Sequence, residues 1–376
     1  MKLARALLTP LRLVLRRPVV TARERLDGRD GLLLCLEAET GEIGYGEALP
    51  LAGFGLEPLE RATEAVTAAV RALLTQPWPD LAAALDSAER HTSAAPSARA
   101  ALDVALHDVF ARAQGRSIAA LLSAQRGAEP HADVPVNALI AATDVETAAR
   151  HARQAVSRGF RALKLKVGCG DVEADVRRAA AVRAAAGPDV ELRLDANGAW
   201  DEATAVAALE RLAPLDIAFV EQPVPADALD ALVRVREASP IPIAADESVR
   251  DEARARTILE RKAADLLVVK PAALGGLRPA SRIAARAAAA GVGVVVTGLL
   301  DSAVGLAAAL HLAAALPDPR RAAGLATDAL FETDLAALPR IAAGRRGLPE
   351  GPGLGVVPKP KHLARLTREP AQELRG

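Results

Sequence analysis

The sequence predicts an α/β protein in which a (β/α) barrel of the TIM type follows a smaller α+β domain. The chain has 376 residues, of which 51% are hydrophobic, so it can bury a barrel-sized core and a second one. In the first third, strand-like segments precede helical segments. In the remainder, short apolar runs alternate with Ala-rich helical segments, which is the pattern of parallel βαβ units.

The first domain is expected to cover residues 1–130 and to combine an antiparallel sheet with helices. Apolar and polar residues alternate over short runs near the N-terminus, as in half-buried strands. The pattern becomes helical from about residue 57, and residues 97–114 form the clearest amphipathic segment. Strands are predicted at 32–38 and 42–47, and turns at Asp27-Gly28 and Thr40-Gly41.

Residues 45–57 lie between the predicted sheet and the predicted helices. Their Gly and Pro content, with an apolar tip at Leu51 and Phe54, indicates a mobile loop. An ordinary surface loop is the alternative.

The barrel domain is expected to cover residues 131–330, with a Gly- and Pro-rich segment, 331–376, packing back on the first domain. Seven apolar runs exceed what a small open sheet needs, which favours a closed barrel. The runs are 134–140, 162–167, 191–196, 218–223, 241–248, 266–271 and 292–298, with a possible eighth at 323–327.

Charged residues stand at the carboxyl ends of five successive predicted strands. They are Lys166, Asp195, Glu221, Asp246 and Lys270. Their spacing of 24 to 29 residues is one βα unit each time. Because these strand ends converge on the mouth of a barrel, where active sites of this architecture lie, we expect the five side chains to meet.

The three acids of this set predict a metal site. Converging carboxylates repel each other unless a cation lies between them, and oxygen ligands without His or Cys favour Mg²⁺, with Mn²⁺ as a substitute. Taken singly, each of Asp195, Glu221 and Asp246 fits a loop cap or an ion pair equally well.

Two lysines share one face of the second predicted strand. Lys164 and Lys166 are two residues apart, so their side chains point the same way. Two adjacent ammonium groups disfavour each other's charged form, which favours a neutral, basic amine. The alternative is a solvated edge on which both lysines reach water.

Composition excludes several classes of partner. Lys+Arg and Asp+Glu both number 47, so no net charge is available to attract nucleic acid or an anionic membrane. Aromatic residues make up only 2%, which argues against a surface on which nucleic-acid bases stack. The N-terminal segment carries interrupting arginines and prolines, unlike a signal peptide or membrane span. We expect a cytoplasmic enzyme that acts on a small-molecule carboxylate. The enzyme itself can form a homo-oligomer.

Several motifs together resemble the enolase superfamily, and within it the muconate lactonizing enzyme branch. They are Lys164-Leu165-Lys166, Leu194-Asp195-Ala196-Asn197, Glu221-Gln222-Pro223, Ala245-Asp246-Glu247-Ser248 and Lys270-Pro271. The resemblance implies a modified (β/α)7β barrel under an N-terminal α+β capping domain, with loops near 16–30 and 47–57 closing the mouth. Val296-Thr297-Gly298, without a histidine, is unlike the mandelate racemase and sugar-acid dehydratase branches.

The same resemblance implies a chemistry. Mg²⁺ held by Asp195, Glu221 and Asp246 would stabilise an enediolate, with Lys166 and Lys270 as acid/base groups, a pattern known in this superfamily. Lys164 would tune its neighbour. Expected substrate-binding residues are Phe54, Arg193, Asn197, Thr297, Gly298, Asp301 and Ser302, and free N–H groups in 300–305 are expected to receive a substrate carboxylate.

Three functions remain open at this point. Stretches 46–54, 136–140 and 193–195 resemble o-succinylbenzoate synthases, which implies a syn dehydration in menaquinone biosynthesis. Dipeptide epimerases or N-acylamino acid racemases are the alternative, although the former are expected to carry an Asp-x-Asp pair near the eighth strand, where residues 324–328 of this chain contain one acid and no such pair. A barrel retained for binding without turnover is the third, and no ligand or lysine is lost as that would require.

Overall fold

The computed structural model describes residues 1–20, 25–124, 126–317 and 321–376, and it confirms the predicted fold class. The N-terminal domain begins with an antiparallel sheet, which is followed by helices. Its elements are β1 (Leu3–Val20), β2 (Arg25–Ala38), β3 (Ile43–Ala48), α1 (Leu59–Leu73), α2 (Leu81–Thr92), α3 (Pro96–Ala113) and α4 (Ile118–Ala124).

One of the two predicted turns is present. At Thr40-Gly41, the amide of Gly41 donates to the carbonyl of Ala38 at 3.0 Å. The turn predicted at Asp27-Gly28 is wrong, because Gly28 lies inside β2 and pairs with Val14 of β1. Glycine at this position lets β1 and β2 approach closely, because a Cβ would lie 2.5 Å from the carbonyl oxygen of Leu13.

Helix α3 is present as predicted, but it is not amphipathic. It is buried along nearly its whole circumference because the sheet covers one side and the barrel the other. On the sheet side, a Cβ at Gly46 would lie 1.9 Å from the carbonyl oxygen of Ala101, so only glycine allows this contact. On the barrel side, Asp103 accepts a hydrogen bond from the amide of Leu277 at 2.6 Å.

The barrel domain alternates strands with helices. Its strands from β5 to β11 are parallel neighbours in chain order, and most of their residues are buried, as expected when helices cover the sheet. The elements are β4 (Asp133–Pro135), β5 (Ala138–Ile140), α5 (Val145–Ser157), β6 (Ala162–Lys166), α6 (Val172–Ala186), β7 (Glu191–Asp195), α7 (Glu202–Leu212), β8 (Ile217–Glu221), α8 (Leu229–Ala238), β9 (Ile243–Ala245), α9 (Glu252–Glu260), β10 (Leu266–Val269), α10 (Pro271–Leu274), α11 (Leu277–Ala289), β11 (Gly293–Val296) and α12 (Ala303–Ala315).

The barrel closes through two residues at the position of the predicted eighth strand. Ala323 forms a parallel bridge with Val136, and Gly324 forms one with Thr297. The amide of Gly324 donates to the carbonyl of Val296 at 2.9 Å, which continues the ladder of β11. The eighth strand is therefore present, although it is shorter than the predicted run.

The C-terminal segment returns to both domains. Strand β12 (Arg345–Gly347) pairs with β4 at the start of the barrel. After α13 (Pro360–Leu366), strand β13 (Gln372–Arg375) pairs antiparallel with β1. The N-terminal sheet thus has the order β13-β1-β2-β3.

Helix α12 is the apolar helix that supports the mouth of the barrel. It has 13 residues, and all but one of them are buried. A bilayer requires about 20 consecutive apolar residues. Neither α12 nor any other helix in the described part of the chain is long and apolar enough to span one.

Candidate active site

The charged residues at the strand ends meet at one mouth of the barrel. Lys166, Asp195 and Glu221 are the last residues of β6, β7 and β8, and the strand register places them side by side. Asp246 and Lys270 each lie one residue beyond the end of β9 and β10. We call these five residues and Lys164 the charged cluster.

The three acids of the charged cluster can hold a cation. Asp195, Glu221 and Asp246 are at most 1% exposed, and each offers an oxygen atom within 4.8 Å of the others. Burial and repulsion from Asp195 raise the pKa of Glu221 to about 8, and burial raises the pKa of Asp246. Three buried carboxylates at this separation form a donor set that suits Mg²⁺ or Mn²⁺.

The lysines of the cluster flank the acids. Lys166 Nζ donates to Asp195 Oδ2 at 2.6 Å and to Asn197 Oδ1 at 2.7 Å. At the other end, Lys270 Nζ donates to Asp246 Oδ1 at 2.6 Å. Because β7, β8 and β9 lie between β6 and β10, the two lysines stand at opposite ends of the acid row.

Lys164 lies beneath Lys166 and bridges two acids. Its Nζ is 3.0 Å from Asp195 Oδ2 and 3.1 Å from Glu221 Oε1. Burial lowers the pKa of Lys164, but attraction from these two carboxylates outweighs burial and raises it above its ordinary value. The expectation that neighbouring lysines make this amine neutral is therefore wrong for Lys164.

Two residues in strained conformations hold the cluster in place. Asn197 and Gln222 have φ values of 47° and 41°, a region that non-glycine residues rarely occupy. Asn197 accepts from Lys166 and donates through Nδ2 to Glu247 Oε1 at 3.1 Å. Gln222 Oε1 accepts from the amide of Asp246 at 3.0 Å, so it fixes the start of that loop.

A cavity opens above the charged cluster. Asn197, Thr297 and Gly298, which were expected to bind substrate, all line it. Eight of the residues that line the cavity are hydrophobic, and we call them the apolar wall. Its residues are Val19, Leu26, Leu51, Phe54, Leu139, Leu299, Leu300 and Ala326.

The N-terminal domain supplies part of the apolar wall, from the two loop regions that the resemblance indicated. Val19 and Leu26 come from the β1–β2 hairpin, whose residues 21–24 lie outside the described part of the chain. Phe54 comes from a 3-10 turn after β3, and its ring centre is 4.4 Å from Lys270 Nζ. This cation–π contact joins the first domain to the charged cluster.

Arg193 was expected to bind substrate, but its contacts lie deeper in the barrel. It is 1% exposed, donates to Glu191 Oε1 and to the carbonyl of Ala322 at 2.6 Å each, and stacks 4.9 Å from the ring centre of Phe219. The cavity lining does not include Arg193.

Asp301 and Ser302 also lie behind the cavity surface, and the expectation of free N–H groups at the start of α12 is wrong. Glu47 of β3 accepts from the amides of Ser302 at 3.0 Å and Gly305 at 3.2 Å, and from the Ser302 hydroxyl. Asp334 accepts from the amide of Ala303 at 2.8 Å. Carboxyl groups of the protein itself therefore occupy the positions that a substrate carboxylate would need.

Some residues of the site were not predicted. Glu247 lines the cavity beside Asn197, and its position directly after Asp246 was the signal that could have indicated it. Asn137 and Leu139 of the first barrel strand, and Thr327 beyond the eighth, also line the cavity. Glu47 was part of a motif, but its contact with residues 255 positions later has no local signal.

Two protein-family models match the chain. The model described as "Enolase C-terminal domain-like" matches residues 147–362. The model described as "Mandelate racemase / muconate lactonizing enzyme, N-terminal domain" matches residues 6–123. Together they span both structural domains.

Individual relatives have several activities. The chain is 30% identical to N-succinyl-L-Arg/Lys racemase of Bacillus cereus over 83% of this chain and 84% of that protein. The crystal structure of that racemase superposes with a TM-score of 0.92 over the full length of both chains, at 28% identity. A dipeptide epimerase from Cytophaga hutchinsonii, solved with Mg and the dipeptide D-Ala-L-Val, gives 0.89 at 27% identity, covering 100% of this chain and 99% of that one.

One further relative is more similar over a shorter stretch. The o-succinylbenzoate synthase of Thermobifida fusca is 43% identical over 204 residues. This alignment covers 54% of this chain and 62% of that protein.

Proposed function

The chain belongs to the enolase superfamily, in its muconate lactonizing enzyme branch, and on that premise we propose that it is an o-succinylbenzoate synthase. In this reaction 2-succinyl-6-hydroxy-2,4-cyclohexadiene-1-carboxylate loses water and becomes o-succinylbenzoate, a step of menaquinone biosynthesis. The substrate carries two carboxylates and no amine.

The observation that carries this proposal is that, among the described residues beyond the eighth strand, no unpaired acid lines the cavity. Beyond the eighth strand the chain has Ala326 and Thr327 on the cavity surface, followed by Asp328. Asp328 forms an ion pair with Arg346 at 2.6 Å and is not a lining residue. A dipeptide's ammonium group would face the apolar wall there without a counter-charge, which is costly.

The three acids of the charged cluster have a shared role in this chemistry. Asp195, Glu221 and Asp246 would hold Mg²⁺. When bound, such a cation stabilises the negative charge that develops on the substrate's ring carboxylate. The cluster fits this role because its three acids are buried and convergent.

Lys166 transfers the proton, and Lys270 stabilises the charge that develops. Lys166, in its neutral form, removes the proton from the carbon next to the ring carboxylate. The C–H electron pair moves into the ring, the C–O bond to the hydroxyl group breaks, and Lys166 returns the proton so that water leaves on the same face. Lys270 stays on the opposite side as a cation that stabilises the negative charge.

The synthase relative also supports the proposal. Its identity of 43% exceeds the 30% of the B. cereus racemase, although the aligned stretch is shorter. The second candidate is an N-succinylamino acid racemase, which the racemase's coverage of 83% of this chain favours. A racemase requires a proton donor and acceptor on opposite faces, and Lys166 and Lys270 also meet that requirement.

A direct assay separates the two candidates. The purified protein with Mg²⁺ is given the cyclohexadiene carboxylate, and in a parallel experiment N-succinyl-L-amino acids in D₂O. We expect o-succinylbenzoate to form rapidly, with slower or no α-deuterium incorporation. Rapid α-deuterium exchange without formation of o-succinylbenzoate would overturn the synthase and support the racemase.

A further inference from the structure

Residues 298–301 form the turn after the seventh barrel strand, and Leu299 and Leu300 of this turn line the cavity. Leu300 has a φ of 57°, a left-handed conformation that is strained for a residue other than glycine. Such a conformation persists only where the surroundings hold the neighbouring residues in place. The contacts of Leu299 and Asp301, on either side of Leu300, are therefore what keeps this part of the apolar wall in shape.

Both backbone groups of Leu299 have charged partners. Its amide donates to Asp301 Oδ2 at 2.8 Å, and its carbonyl accepts from Arg29 Nη1. Arg29 lies on β2 of the N-terminal domain and is 2% exposed. Burial raises the pKa of Asp301, whereas the bond from the Leu299 amide and the positive charge of Arg29 oppose this increase. The turn is thus held by an acid of its own and by a cation from the other domain.

The same guanidinium also holds the loop that follows β3. Arg29 Nη2 donates to the carbonyl of Leu49, which lies one residue beyond β3 and two residues before Leu51 of the apolar wall. Arg29 therefore bridges two stretches of chain from different domains, each of which contributes to the wall. We call these stretches, 49–54 and 298–301, the wall segments.

The shape of the arginine side chain suits this bridge. Leu49 and Leu299 are 4% and 6% exposed and lie outside helices and strands, so their carbonyl groups need donors from elsewhere in the chain. A guanidinium presents its donors in a rigid plane, so two of them can fix the separation of two carbonyl oxygens. A lysine keeps the charge but lacks this fork.

We infer that Arg29 is a positioning residue that fixes the separation of the two wall segments and thereby the affinity of the cavity for substrate. Arg29 is not among the described residues that line the cavity, so it acts through Leu49 and Leu299. Because the wall contacts substrate away from the reacting atoms, loss of the bridge should raise KM and leave kcat nearly unchanged. The inference rests on the proposed function in one respect, since that function names the substrate on which KM is measured.

The test measures two properties of the same variants with Mg²⁺ present, which are steady-state conversion of the cyclohexadiene carboxylate and hydrogen exchange of backbone amides. Arg29→Lys keeps the charge without the fork. Arg29→Gln keeps a donor without the charge, and takes its place if the lysine variant does not fold. We expect KM to rise roughly 10-fold, with kcat within about 3-fold of wild type, and exchange in both wall segments to accelerate by about 10-fold.

Arg278→Lys is the matched control, because Arg278 also joins the two domains but does so away from the cavity. It lies on α11 and donates to Asp86 Oδ1 and Glu89 Oε2 of α2 at 2.6 Å each. This variant should keep the KM of wild type and the exchange rates of both wall segments.

Three kinetic outcomes would overturn the inference. They are an unchanged KM in the Arg29 variants, an equal rise of KM in Arg278→Lys, and a loss confined to kcat. If wild type does not convert the cyclohexadiene carboxylate, the proposed function fails and hydrogen exchange alone decides the inference. Faster exchange of both wall segments in the Arg29 variants, and not in Arg278→Lys, would then support it, whereas unchanged exchange would overturn it.

Discussion

The charged cluster and the apolar wall form one cavity but are built differently. The cluster comes entirely from the carboxyl ends of consecutive barrel strands, and its members hold one another through short hydrogen bonds. The wall comes from strands and loops of both domains, including the turn that carries Phe54. We propose that the cluster determines the chemistry, whereas the wall determines which carboxylate is accepted.

The largest expected effect comes from the lysines of the charged cluster. Lys166→Ala or Lys270→Ala should lower turnover by about 10²- to 10⁴-fold, because each removes a proton-transfer group or a charge-stabilising group. Lys361→Ala, an exposed lysine in α13, is the matched control and should retain full activity. Near wild-type turnover in either cluster variant would remove that lysine from the mechanism.

The next largest effect is expected where the two domains are joined. Glu47→Ala removes the acceptor for Ser302 and Gly305 and leaves their buried N–H groups unsatisfied. We expect the free energy of unfolding in urea to fall by about 1–3 kcal/mol. We also expect kcat/KM to fall, mainly through a higher KM, because the apolar wall loosens while the charged cluster stays intact.

Glu47→Gln sharpens this result. Its amide oxygen can still accept from both backbone groups, so it should recover most of the lost stability. Glu39→Ala, an exposed residue in the preceding turn, is the control. If Glu47→Ala reduced kcat alone, the separation between wall and cluster would be wrong.

A smaller effect is expected at the contact between the two regions. Phe54→Leu keeps the apolar surface but removes the ring over Lys270 Nζ. Loss of the cation–π contact should reduce kcat/KM by about 3- to 10-fold. Phe54→Tyr keeps a ring and should behave nearly as wild type in the same steady-state assay; an equal loss in both variants would show that the ring is not the cause.

The last prediction concerns pH. Burial and the negative charge of Asp301 raise the pKa of Glu47 to about 8, above its usual 4.5. Its neutral form is thus favoured by folding, so this contribution to stability is complete below about pH 4.5 and is lost as pH rises through about 8. Glu47→Gln should flatten the dependence of urea midpoints on pH in that window, and an unchanged slope would contradict this.

The sequence predicted the charged cluster better than the wall, for a physical reason. Lys166, Asp195 and Glu221 recur with the period of a βα unit, so their convergence follows from the architecture alone. Arg193 shares the face of Asp195, but it lies two residues, about 6.6 Å, further down the strand, which puts it below the cavity. The alternation of side chains along a strand predicts which way the Arg193 side chain points. It does not predict how far below the cavity that side chain lies.

The wall depends on contacts between distant parts of the chain. The amides of Ser302 and Gly305 at the start of α12 looked available in sequence, yet Glu47 of the other domain accepts from both. Helix α3 was expected to have an exposed face, because its burial by the barrel is also a long-range effect. Such pairings require the relative position of the domains, which periodicity does not contain.

The most direct test of the account is metal dependence of the proposed reaction. Conversion of the cyclohexadiene carboxylate is measured after exhaustive chelation with EDTA and again after Mg²⁺ is added back, in wild type and in Asp195→Asn. We predict that chelation abolishes turnover, that Mg²⁺ or Mn²⁺ restores it in wild type, and that Asp195→Asn needs far more Mg²⁺. Asp189→Asn, an exposed acid, should respond like wild type. Full activity after chelation would contradict the assignment of Asp195, Glu221 and Asp246 as metal ligands.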